Sequence, residues 1–185
     1  MDEMSGGTAY DTSGYGNDGT INGATWSPFG KFGSALSFDG VDDYIDIPSA
    51  LSTLNGAFTL TASVKYTSDN GRHPLLSLAG DSGLYVEWES NDVFMYLGGS
   101  NWARWSPANL YNGNWHELTF IIPGLAQADI DNAKAYVDGV ELSLNANDSS
   151  GGRSVFSDFK IGGDTEYFNG SIDNLKIYNY VRTPA

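Results

Sequence analysis

The sequence predicts an all-β protein, a jelly-roll β-sandwich of two antiparallel sheets. Three observations carry that prediction. Apolar and polar residues alternate at period two in one segment after another. No window sustains the three-and-four apolar spacing of a helix. Turn-forming Asn-Gly and Asp-Gly pairs fall between the alternating runs.

The elements follow in order. "SALSFDG" and "DYIDIP" read as a pair of strands joined at Gly40–Asp42. "IPSALSTLN" has room for one short helical turn. "FTLTASVKY" is the clearest strand: Phe58, Leu60, Ala62, Val64 and Tyr66 point one way, and Thr59, Thr61, Ser63 and Lys65 the other. "PLLSLAG", "GLYVEWES" and "VFMYLGG" follow, separated by short polar turns. Next come "NWHELTFIIP", "AKAYVDG", "VELSL", "DFKIGG" and "GSIDNLKIYN". "VDGVEL" predicts a tight hairpin, because Asp-Gly suits turns that match strand twist. Asn22, Asn55, Asn70, Asn112 and Asn169 each precede a glycine and read as further turns. Many short strands with frequent turn signals make a sandwich.

The chain has 185 residues, the size of a single domain with a sizeable core. No linker or repeat divides it, so 1–185 reads as one domain. Nine Lys and Arg stand against 23 Asp and Glu, a formal net charge of -14. Such a surface repels nucleic acid and anionic membranes. It suits cations and neutral partners. No apolar run approaches the roughly 20 residues of a membrane helix, so no membrane insertion is expected. There is no cysteine, which rules out disulfides and thiolate metal sites without fixing the compartment.

Three motifs suggest chemistry and lack its context. "GYGNDG" matches G-x-G-x-x-G, but no strand precedes it and no helix follows to hold a pyrophosphate. "GDSG" resembles a protease nucleophile loop, yet His73 and His116 are the chain's histidines and neither sits in a matching motif. A hairpin turn explains it. In "VEWES", Glu87 and Glu89 share a strand face as a glycosidase pair would, but no third acid stands at the required spacing. The expectation is therefore a protein that is not an enzyme.

"AYDTSGYGNDGTINGATW", "GKFGSALSFDGVDDYIDIP", "FTLTASVKY", "YNGNWHELTF", "AYVDGVEL" and "FNGSIDNLKIYN" occur in that order. Together they resemble the laminin-G-like jelly-roll domains of the concanavalin A-like lectin/glucanase superfamily, over about Met1 to Tyr180. The resemblance implies an extracellular or cell-surface domain, excised from a larger protein. It also implies a structural calcium ion. Calcium takes six to eight oxygen ligands, and "DTSGYGNDGT" is crowded with side-chain oxygens and glycines. The ligands expected on this basis are Asp11, Asn17 and the Gly19 carbonyl, with Asp39 from "SFDG" and Asp173 from "GSIDNL". Asp173 interrupts the apolar residues of the last strand and needs a partner there. Asp42 and Asp43 are weaker candidates. The competing reading has these side chains capping turns through backbone amides.

A glycan or polysaccharide is the expected ligand. Sugar sites pair aromatic platforms with amides, carboxylates or Arg. "SNWARWSPANLYNGNW" is richest in these, offering Asn101, Trp102, Arg104, Trp105 and Asn109. Tyr85, Trp88 and Tyr96 stand on the preceding strand pair. Arg72 and His73 are candidate rim contacts, and Trp115 is expected to pack in the core. The rival expectation is a structural or adhesive domain of a bacterial surface protein or pilin-like appendage, with a protein partner or no ligand at all.

Overall fold

In the computed structural model of the chain, the described residues are 1–47, 56–67, 71–78, 82–87, 92–96, 101–106, 110–124, 127–149, 159–163 and 165–182. The expected turn in "IPSALSTLN", the Asn55 and Asn70 turns, Trp88, Glu89 and Asn109 lie outside them.

Strands run through the chain from end to end. They are β1 (Thr8–Ala9), β2 (Gly19–Asn22), β3 (Thr25–Ser27), β4 (Ala35–Asp39), β5 (Tyr44–Ile47), β6 (Phe58–Tyr66), β7 (Arg72–Leu78) and β8 (Ser82–Glu87). Then come β9 (Asp92–Tyr96), β10 (Asn101–Ser106), β11 (His116–Ile122), β12 (Lys134–Val137), β13 (Val140–Glu141), β14 (Ser143–Ser149), β15 (Phe159–Ile161) and β16 (Asn169–Tyr178). One helical turn, α1 (Gln127–Ile130), joins β11 to β12. Among the described residues, nine strands form one sheet in the order β1-β2-β5-β15-β7-β8-β9-β10-β14, and seven form the other, β13-β12-β11-β6-β16-β4-β3. Every described pairing within these sheets is antiparallel.

The period-two alternation builds the core. On β6 the side chains of Phe58, Leu60, Ala62, Val64 and Tyr66 are buried. They meet Ile45, Leu76, Met95, Ala103 and Phe159 from the facing sheet in one apolar cluster. Burying that area is the main stabilising term. Thr59 and Ser63 on the other face of β6 are also buried. Part of the reason is that the chain's exit crosses Thr59: its hydroxyl donates to the Tyr180 carbonyl and accepts from the Arg182 N–H.

Three sequence expectations are corrected. β4 and β5 do not pair with each other; the Gly40–Asp43 connection carries the chain from one sheet to the other. Periodicity shows which face of a strand is apolar, not which sheet the strand joins. Asn169–Gly170 opens β16 and is not a turn. A Cβ on Gly170 would lie 2.2 Å from the Lys65 carbonyl oxygen, so close backbone approach explains that glycine. His73 is no rim contact, because its ring is buried among Tyr66, Tyr111 and Phe168. The "VDGVEL" hairpin forms as expected, with Val137 opposite Val140 and left-handed backbone at Asp138 and Gly139.

Candidate functional site

The 102–105 segment becomes β10, next to last in the nine-stranded sheet. Alternation splits it. Asn101, Ala103 and Trp105 face inward and are buried, while Trp102, Arg104 and Ser106 are partly exposed on the outer face. Trp105 packs edge-on to Phe120, ring centroids 6.3 Å apart, inside the core. The expected platform therefore divides: Trp102 and Arg104 share a surface, whereas Trp105 and Asn101 do not reach it. The spacing of three between the two tryptophans already places them on opposite faces of a regular strand.

Strand β9 supplies Phe94 and Asp92, which the sequence reading left out, beside Tyr96. Val93 and Met95 fill the core, which turns Phe94 and Tyr96 outward. Trp102 lies opposite Tyr96, and Arg104 opposite Phe94. The Phe94 and Trp102 rings stack diagonally, with centroids 5.6 Å apart and planes 15° from parallel. Arg104 Nε stands 3.3 Å from Asp92 Oδ2, and the Asp92 side chain is 3% exposed. The two form an ion pair, although the buried Nε–H is not in hydrogen-bonding geometry. Phe94-x-Tyr96 and Trp102-x-Arg104 each alternate at period two, which is the sequence signal for this face.

The residues expected around calcium do not gather at one point. Asp11 is saturated within its own loop. Its carboxylate accepts from the Ser13 N–H (2.8 Å), Ser13 Oγ (2.8 Å), the Asn17 N–H (2.9 Å) and Asn17 Nδ2 (3.1 Å). Burial pushes the Asp11 carboxyl up, but these hydrogen bonds outweigh it and hold the group below its ordinary value. Asp18 closes the loop by accepting the Asp11 N–H at 2.7 Å. Gly19 sits in β2 opposite Ala9, where a Cβ would press on Ile45. Asp173, buried in β16, accepts the Phe32 N–H at 2.8 Å. Asp39 pairs with Asn169, four residues along β16 from Asp173, a separation of about 13 Å at strand rise.

A different cluster forms around Asp39. Carboxylate oxygens of Asp39, Asp42 and Asp43 lie within 4.8 Å of one another. Asp43 is buried and accepts the Asp39 N–H at 2.8 Å. Burial pushes its carboxyl up; the amide bond opposes this, and the charges of Asp39 and Asp42 add to the rise. Gly23 leaves room for Asp43, since a Cβ there would overlap Asp43 Oδ1. Three convergent carboxylates with a desolvated, mutually repelling charge form a hard-oxygen set that could hold a divalent cation.

The sequence profile of the Laminin G 3 family, in the concanavalin A-like lectin/glucanases superfamily, matches residues 39–185. The chain belongs to this family. No match to a curated protein was found. Solved structures share the fold of this laminin-G-like domain at low identity. Domain 4 of an extracellular arabinanase from Geobacillus stearothermophilus, in complex with arabinotriose, has a TM-score of 0.67 and 22% identity, covering 94% of this chain and 87% of that one. Trypanosoma rangeli sialidase has a TM-score of 0.67 and 20% identity, covering 97% of this chain and 30% of that one. The binding domain of botulinum neurotoxin DC, in complex with SialylT, has a TM-score of 0.64 and 11% identity, covering 95% and 46%. The laminin-G-like domain thus spans less than half of the sialidase and toxin chains. Among the described residues, no helix is long and apolar enough to cross a membrane.

Proposed function

We propose that this laminin-G-like domain is a non-catalytic, extracellular carbohydrate-binding module that holds glycan on the outer face of its nine-stranded sheet. The observation that carries the reading is the Phe94–Trp102 stack beside the Arg104–Asp92 pair, with Tyr96 next to it. Aromatic rings take the apolar faces of sugars, and a guanidinium donates to hydroxyls. The arabinotriose complex of a structural neighbour supports a saccharide as the ligand class. Trp105 and Asn101 support this face from behind, through the core.

A calcium ion is proposed as a structural partner, held by Asp39, Asp42 and Asp43. Asp11, Asn17 and Asp173 serve the fold through the hydrogen bonds described above. A cation at the triad would relieve the repulsion around buried Asp43 where the chain crosses between sheets. It would stabilise the folded state by binding it alone.

Affinity electrophoresis through gels containing arabinan, xylan or β-glucan tests the sugar reading. The wild-type chain is expected to be retarded in at least one gel, and Trp102→Ala to be retarded less with an unchanged melting curve. Equal retardation of the two would remove the outer face from the site.

A further inference from the structure

Aromatic side chains also gather around an open cavity beside the 10–17 loop. An open cavity of about 760 Å³ lies between the 10–17 loop and the last turn of chain after the β16 bulge. Its size falls in the range of small-molecule and oligosaccharide sites. Tyr10, Tyr15, Tyr178 and Tyr180 line it, over a floor that includes Ile45, Ile47 and Ile177. Tyr15 is 86% exposed, Tyr10 61% and Tyr180 54%. Exposed aromatics gathered around one cavity mark a contact surface.

Both walls are fixed before any ligand arrives. On one side, Asp11 spends its carboxylate on Ser13 and Asn17, so the loop that carries Tyr15 between Gly14 and Gly16 is held from within. On the other, buried Thr59 anchors the backbone of Tyr180 and Arg182. Arg182 Nη1 donates to the Tyr178 hydroxyl at 2.6 Å, and the Tyr178 and Tyr180 rings meet edge to face at 5.7 Å. β16 carries a register shift between Asp173 and Lys176, and Asn174 there has a φ of 51°. The bulge places Asn174 on the cavity lining, as bulges near sites commonly do. Backbone anchored on both walls lowers the ordering cost of binding.

We propose that this end cavity is a second binding site, specific for a neutral oligosaccharide and independent of the outer sheet face. The chemistry sets the class. Asp11 and Lys176 are the charged side chains of the lining, opposite in sign, and the Asp11 oxygens are already engaged. Tyrosine rings and the amides of Asn17, Asn174 and Asn179 suit hydroxyls on apolar sugar faces. Lys176 is one cation on the lining, but an acidic glycan would meet a chain of net charge -14.

The test is NMR titration of the isotope-labelled chain with neutral arabino-, xylo- and cello-hexaose and with hexagalacturonate. A neutral hexaose is expected to shift the amides of Tyr15, Asn174 and Tyr180. Tyr15→Ala and Tyr180→Ala should each weaken that response about tenfold, the loss of one ring's stacking, with the melting point unchanged. Shifts at the cavity alone would keep this site and overturn the sheet-face reading. Shifts at Trp102 and Arg104 alone would do the reverse. No shift at Tyr15, Asn174 or Tyr180 with any neutral sugar, or a stronger one with hexagalacturonate, would overturn the proposal.

Discussion

Asp11 collects four hydrogen bonds from Ser13 and Asn17, and that network holds the 11–17 loop together. Because its folded pKa is lowered, the Asp11 contribution is complete above the ordinary aspartate range and is lost as the pH falls through the folded value. Asp11→Ala should cost about 1–2 kcal/mol, equally in calcium and in EDTA. Calcium-dependent loss in a melting series would return Asp11 to a metal site. Asp43 has the opposite sign. Its raised pKa means that ionisation costs stability as the pH rises through the folded value. Asp43→Asn should therefore raise the melting point in EDTA by about 2–4 °C, the shift that roughly 1 kcal/mol gives a domain of this size, and abolish the calcium response. Thermal scans at neutral pH read both effects. At this scale the sequence was partly legible. The oxygen-rich loop and Asp39 stand out, but Asp42 and Asp43 read as the weaker candidates, and the partner of Asp173 is the Phe32 amide, 141 residues away, which no local pattern announces.

β10 shows how much one strand separates. Trp105→Ala removes a ring packed on Phe120 in the core and should cost about 3–5 kcal/mol. Trp102→Ala removes a partly exposed ring and should leave folding nearly intact. Denaturant unfolding of both variants checks this; similar losses would mean that the two tryptophans share an environment. The face of each residue was legible in the alternation, since positions three apart point opposite ways. Sheet membership was not. β4 and β5 read equally well as a hairpin, and only the pairing of β4 with β16 and of β5 with β15 and β2 separates them. β16 reads as a strand by its apolar alternation, yet the bulge at Asn174 hides among ordinary residues.

For the whole molecule, two sheets of alternating strands enclose one core and gather aromatic residues on the outer face of β9–β10 and around the end cavity. The fold was legible because alternation, turn chemistry and the absence of helical spacing all agree. The ligand was less so, because core and platform aromatics look alike until strand faces are known. The central claim is that the outer face binds sugar. A glycan array probed with the wild-type chain and with Trp102→Ala, in calcium, tests it most directly. The wild-type chain is expected to bind a set of saccharides, with signal from the outer face lost in the variant while its melting curve is kept. An identical binding profile for the two proteins, or no glycan bound by the folded wild-type chain, would contradict it.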